Sequence, residues 1–184
     1  MNEGKFFLEL EEKDVRNIFD VNVLSHFWLC KEFLGDMIKD NRGGHIVNVS
    51  SACGQMGAYK LTDYCATKFA VVGFTESLRI ELKIKHPNAN VKCTTVCPFH
   101  VKTKLFDGVK FSRLSWLNLS MDIDFVCEKI FNGILMEKEL ILVPHNASAV
   151  LYIMRQLVTT KFFDHAAEKL DLNGAMDSYK KKQS

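Results

Sequence analysis

The sequence predicts an α/β domain: a parallel sheet with helices on both faces. Two observations carry this. Helical and strand-like segments alternate in the order helix, strand, helix, strand, helix, strand, helix, which is the pattern of strands joined by helical crossovers. The strand-like segments are near-continuous apolar runs, as expected of strands covered on both sides.

Each element follows from its local pattern. Over residues 14–39, Val15, Ile18, Phe19, Leu29, Phe33 and Met37 recur at three- and four-residue steps, which predicts one long helix. Asn41 and the pair Gly43-Gly44 end it. GHIVNVSS reads as a buried strand, with β-branched bulk from Ile46, Val47 and Val49. A loop with Gly54 and Gly57 leads to a second long helix over 63–85, stopped before Pro87. VKCTTVCP is the second strand, closed by Pro98. Residues 99–121 read as irregular, 122–137 as a helix, and ELILVP as a short third strand. A mostly apolar helical region over 147–170 and a polar tail over 171–184 complete one domain of 184 residues. Three strands make a narrow sheet, with an edge that needs cover.

Composition excludes several classes. The formal net charge is +2, so bulk electrostatics argues against nucleic acid as a partner. The basic run Lys180-Lys181-Lys182 reads as a solvated tail. The six cysteines form no CxxC pair, so zinc and dithiol-redox signatures are absent. Cys93 and Cys97 lie about 13 Å apart along a strand, too far for a disulfide or a shared metal. Free thiols in a reducing compartment are the expectation. The opening MNEGKFFLELEEKD has no continuous apolar core, so no signal peptide is read there. No apolar run approaches the ~20 residues of a membrane-spanning helix. The sequons at Asn48, Asn118 and Asn146 therefore read as chance matches.

The chemistry concentrates in TDYCATKFAVVGF. Tyr64 and Lys68 stand four residues apart, so on a helix they share a face that is otherwise apolar, with Ala66, Phe69, Ala70, Val71 and Phe74 around them. Ligands of open α/β sheets bind beyond the carboxyl ends of the strands, where Ser50 and Ser51 close the first strand. A serine hydroxyl, a phenol and an ammonium converging there suit proton transfer at an alcohol oxygen. A phenol with the ordinary pKa of about 10 is too weak an acid for that work near neutrality. A neighbouring cation is expected to lower it toward the working pH. The serine would hold the substrate oxygen against the phenol.

These residues carry a resemblance. Tyr64-Cys65-Ala66-Thr67-Lys68 is similar to the YxxxK signature of the short-chain dehydrogenase/reductase family. Ser51 stands thirteen positions before Tyr64, the spacing of that family's serine. FDVN, ending at Asn22, resembles its helix-borne asparagine, and CPFHVKT over 97–103 its nicotinamide-side segment. DYCATKFAVVGFTESL, CTTVCPFHVKT and AMDSYKKK resemble the branch of retinol and 17-beta-hydroxysteroid dehydrogenases of the endoplasmic reticulum and lipid droplets, with the epidermal-retinol-dehydrogenase-like subgroup favoured by the tail.

The resemblance implies a doubly wound Rossmann-type sheet, an NAD or NADP cofactor and a homodimer through helices 14–39 and 63–85. It implies Tyr64 as the catalytic acid/base, and Lys68 lowering the pKa of Tyr64 and binding the nicotinamide ribose. Ser51 would position the carbonyl or alcohol, and Asn22 would anchor a water on a proton path through Lys68. Pro98, Val101 and Thr103 would flank the cofactor. Ser50 stays as the rival of Ser51, and Asn22 has the plain alternative of a satisfied polar group on a helix. His100 is read as a pocket wall; His26, His45, His86, His145 and His165 as structural or exposed.

The family's TGxxxGxG loop, which cradles a pyrophosphate at a helix N-terminus, matches none of the ten glycines. The residue that selects NAD or NADP and the NNAG segment are missing too. The chain is therefore expected to be the C-terminal part of such a domain, with the N-terminal portion missing. Two functions follow: an oxidoreductase acting on a lipophilic alcohol of retinol or steroid type, or a non-catalytic dimerisation or interaction module. Leu105, Phe106, Phe111, Leu114, Trp116 and Leu117 would form an apolar lid or simply pack. The helix 147–163 would rest on a membrane surface or pack on the sheet. The expected location is the cytosolic face of the endoplasmic reticulum or lipid droplets, or the cytoplasm for the chain expressed alone.

Overall fold

A computed structural model describes residues 4–40, 42–103, 105 and 120–169. The first helix, α1 (Glu12–Phe19), starts from a local cap: the Asp14 N–H donates to the Glu11 carbonyl at 3.0 Å, and the Asp14 carboxylate accepts from the Glu11 N–H at 3.2 Å. Instead of one uninterrupted α-helix, the chain then passes through a wide π-helical turn over Asp20–Leu24 into α2 (Ser25–Lys39). The π turn inserts one extra residue per turn and rotates the two halves relative to one another. Asn22 lies in it, buried.

Strand β1 (Gly44–Val49), helix α3 (Thr62–Lys85) and strand β2 (Val91–Pro98) follow where the sequence places them. Gly43 makes the entry to β1 possible: it holds φ +78°, and a side chain there would run into the backbone of Asn90. After a short strand β3 (His100–Val101) come β4 (Ser120–Met121), α4 (Ile123–Leu135) and β5 (Leu140–Val143). The final helical region is two helices, α5 (His145–Leu157) and α6 (Thr160–Lys169). The Thr159 hydroxyl accepts from the Phe162 N–H at 3.4 Å and restarts the helix.

The main sheet has the order β1-β2-β5, all parallel. Register runs from Gly44 opposite Val91 to Val49 opposite Val96, and from Thr95 opposite Leu140 to Pro98 opposite Val143. β3 and β4 form a separate parallel pair. Among the described residues β1 is an edge strand.

Alternate side chains of the strands feed two cores. Ile46 and Cys93 pack with Leu82, Leu78, Leu34 and Met37 beneath α2 and α3. Val96, Ile141 and Val143 pack with Met121 and Val126 beneath α4, joined by Val47. Helices therefore cover both faces, as the alternation of elements requires. The first core also holds a polar chain: His26 Nδ1 meets Asn48 Oδ1 at 2.8 Å, and Asn48 Nδ2 donates to Thr75 Oγ1 at 2.9 Å. It ties α2, β1 and α3 together with both ends of the buried amide paired. The expected lid residues Phe106, Phe111, Leu114, Trp116 and Leu117, and the tail 171–184, lie outside the described residues; Leu105 is exposed.

Candidate active site

The end of β1 shapes the site. Ser50 N–H donates to the Val96 carbonyl at 2.8 Å, extending the β1–β2 ladder by one residue. The extended backbone of Ser51 then leads into a single 3₁₀ turn over Ala52–Gly54, and the Ser51 hydroxyl caps it by accepting from Cys53 N–H at 3.2 Å. α3 starts at Thr62, so Tyr64 sits in its first turn, directly beside this cap. Asp63 Oδ1 accepts from the Tyr64 N–H at 2.8 Å, which fixes the start of the helix.

The two serines are separated by their partners. Ser50 Oγ donates to the Lys68 carbonyl at 2.8 Å, so it locks α3 to the strand end. Ser51 Oγ is hydrogen-bonded to the Tyr64 phenol and lies 3.5 Å from the Pro98 carbonyl. Ser51 and Tyr64 are 8% and 4% exposed, so their hydroxyls meet in a nearly dry setting. Lys68 Nζ donates to the Val49 carbonyl at 3.0 Å and lies 5.6 Å from the Tyr64 ring centroid. Gly54 is required by this closeness: a Cβ there would stand 2.5 Å from Ser50 Oγ and 2.7 Å from the Lys68 carbonyl oxygen.

The electrostatics differs from the sequence expectation. Tyr64 is raised above the ordinary tyrosine value, first by burial and then by the neighbouring Cys53 thiol; the Ser51 hydrogen bond pulls the other way and does not win. Lys68 is lowered, chiefly by burial. In this structure, then, the cation does not bring the phenol down. It sits over the face of the ring and is engaged by the strand end.

Asn22 meets α3 at Thr67. Its Nδ2 donates to Thr67 Oγ1 at 3.2 Å, and Thr67 Oγ1 donates to the Tyr64 carbonyl at 2.7 Å. Thr67 is fully buried and joins the π turn to the turn of α3 that bears the phenol. Pro98 adjoins Ser51, whereas Val101 packs against the α4-side core and Thr103 is exposed beyond β3. His100 Nδ1 meets Ser120 Oγ at 2.9 Å, joining the ends of β3 and β4. Sequence reasoning missed Asp63 and Thr67. The N-terminal position of Asp63 in the helix was a usable signal; Thr67 had none, because its partner is 45 residues away.

A dry serine–phenol pair thus lies beside a half-buried ammonium at the carboxyl ends of parallel strands. The family model for short chain dehydrogenase matches residues 1–111. The chain is 35% identical over 176 residues to short-chain dehydrogenase/reductase family 16C member 6 of Bos taurus, covering 96% of this chain and 54% of that protein. It is 39% identical over 141 residues to epidermal retinol dehydrogenase 2 of Mus musculus, covering 77% and 45%. Among solved structures, 4-hydroxyisoleucine dehydrogenase complexed with NADH and succinate matches with a TM-score of 0.52 and 26% identity, over 57% of this chain and 43% of that one. The chain belongs to the short-chain dehydrogenase family. It spans about half the length of the curated relatives it matches.

Proposed function

We propose that the whole protein is an NAD- or NADP-dependent oxidoreductase that interconverts a lipophilic alcohol, of retinol or steroid type, and its carbonyl. The observation that carries this is the Ser51–Tyr64 hydrogen bond with the Lys68 ammonium beside it. The family, the retinol dehydrogenase relative and a neighbour that binds NADH support it.

The donor set fits the nicotinamide end of such a cofactor. The Lys68 ammonium, held by the last carbonyl of β1, has further protons for a ribose diol; the Pro98 carbonyl, beside Ser51, would accept from a carboxamide. The cofactor, when bound, supplies or accepts the hydride. The chain's own residues handle the oxygen. Ser51 Oγ donates to the substrate oxygen and holds it beside the phenol. Tyr64 gives its proton to that oxygen in reduction and takes it back in oxidation. The raised pKa of the phenol favours the protonated, donating form. Asn22 and Thr67 keep the backbone of this turn in place. Val101 and Thr103 are assigned the outer flank of the cofactor.

A second reading has its own observation. α2 exposes Trp28, Leu29 and Phe33, and α3 exposes Phe69, Ile80 and Ile84. These apolar faces suit a homodimer through the two helices, with or without catalysis. Among the described residues no helix is long and apolar enough to cross a membrane. Attachment at the endoplasmic reticulum or lipid droplets is part of the proposal, with α5 as a peripheral contact.

Titration of the whole protein with NAD(H) and NADP(H), followed by a panel of retinoid, steroid and short-chain alcohols, tests the reading. Micromolar binding with turnover of the lipophilic members is the expected result. Tight binding with turnover of none of them leaves the interaction module. For this chain alone, which carries no TGxxxGxG loop, millimolar or weaker affinity is expected.

A further inference from the structure

Cys53, Cys65 and Cys97 lie around the Ser51–Tyr64–Lys68 group, and the proposed chemistry uses none of them. Cys97 is spoken for: fully buried on β2, it accepts from Gln55 Nε2 at 3.6 Å. Cys53 and Cys65 form a pair. Cys53 is the middle residue of the 52–54 turn and packs against the core cluster of Ile18, Leu61, Tyr64 and Cys65. The two side chains share one packed cluster, and each thiol shifts the proton affinity of the other. Cys65 is buried, while Cys53 is half-buried. The turn cannot drift from α3, because Gly54 fits between Ser50 Oγ and the Lys68 carbonyl with no room for a methyl group.

We propose that Cys53 and Cys65 are a redox-modification site, closing a reversible disulfide when the protein meets a peroxide. The partition of the proton suits this. The Cys65 thiol is lowered by the S–H of Cys53 and by the backbone of Ala58, while Cys53 is raised and keeps its proton. The Cys65 thiolate attacks one peroxide oxygen: an S–O bond forms, the O–O bond breaks, and the leaving hydroxide takes a proton to become water. Cys53 sulfur then attacks the sulfenic sulfur of Cys65. The S–S bond forms, the S–O bond breaks, and the second water carries away the Cys53 proton. Two electrons pass from the thiols to the peroxide. Because Cys53 N–H donates to Ser51 Oγ, the new bond pulls on the serine and slows any chemistry that depends on it.

The test needs no turnover, so it stands apart from the oxidoreductase reading. The chain is treated with hydrogen peroxide, free thiols are alkylated, and the peptides are mapped by mass. The expected result is a linked pair of peptides holding Cys53 and Cys65, lighter by two hydrogens, with alkylation lost at those two of the six cysteines and restored by dithiothreitol. Retention of all six thiols overturns the proposal, as does a different linkage, or oxidation of either cysteine to sulfinic acid without linkage. Cys53→Ser, at the half-buried position, should abolish the link while keeping its circular dichroism. In the whole protein, turnover should fall with the linked fraction; a fully linked protein with undiminished turnover overturns the coupling to Ser51.

Discussion

The Lys68 ammonium lies over the face of the Tyr64 ring, 5.6 Å from its centroid, and donates to the Val49 carbonyl at 3.0 Å. The cation thus meets the π-face and the strand end, where it attracts the ring as a whole. Burial meanwhile penalises phenolate and raises Tyr64. In this chain Tyr64 should therefore ionise above the ordinary tyrosine value of about 10. Ultraviolet difference titration of the chain against Tyr64→Phe measures it directly. A tyrosine step near neutrality that vanishes in the variant contradicts the geometry. For a group raised on folding, stability is complete below the unfolded pKa and is lost as pH rises through the folded one. Tyr64 therefore adds an alkaline loss of stability beginning near pH 10, which Tyr64→Phe should remove.

Lys68 has the opposite sign. Its folded pKa is lowered by burial, so its charged form is disfavoured and stability rises as pH climbs through the lowered value. At pH 7 the ammonium is a cost of folding, which function would explain. Lys68→Met should keep or raise the melting temperature of the chain while removing nicotinamide binding and turnover from the whole protein. A drop in melting temperature of more than about 4 °C, on the order of 1 kcal/mol for a domain of this size, contradicts it.

Thr67 is fully buried, with Asn22 on one side and the Tyr64 carbonyl on the other. Thr67→Val keeps the shape and deletes the hydroxyl, leaving the amide of Asn22 short of a buried acceptor. The expected cost is about 1–3 kcal/mol, read by urea unfolding. Asn22→Ala combined with Thr67→Val should cost less than the two single changes together; full additivity would show that the contact is not energetically real.

Gly54→Ala forces a methyl group to within 2.5 Å of Ser50 Oγ and 2.7 Å of the Lys68 carbonyl oxygen. The expected destabilisation is about 1–3 kcal/mol. Gly57→Ala is the control, since a Cβ there meets nothing within 4 Å, and its effect should stay within about 0.5 kcal/mol. Equal effects at the two positions would contradict the tight seat of the turn on α3.

What the sequence revealed follows from how local each signal is. β1, β2 and β5 were legible because buried parallel strands are written as apolar, β-branched runs. α3 was legible because the glycine-bearing loop before it and Pro87 after it bound a long segment, which the structure shows as Thr62–Lys85. The π turn at Asp20–Leu24 was not, since one added residue in a turn leaves composition and approximate period intact. The break between α5 and α6 had a readable cap in Thr159, hidden by the apolar residues on either side. β3 and β4, two residues each, are too short for any periodicity. In the site, spacing named Ser51, Tyr64 and Lys68, which the structure brings side by side. The direction of the tyrosine shift was missed because it depends on burial, which contacts distant in sequence create.

Everything proposed for function rests on the Tyr64 hydroxyl exchanging a proton with a substrate oxygen held by Ser51. The most direct test is the rate of cofactor-coupled oxidation of a retinol-type alcohol by the whole protein, unmodified and carrying Tyr64→Phe, with circular dichroism confirming that the variant is folded. The expected result is a loss of at least about a hundredfold, the usual range for removing a general acid/base. A folded variant that keeps more than roughly 5% of the rate, well outside that range, contradicts it.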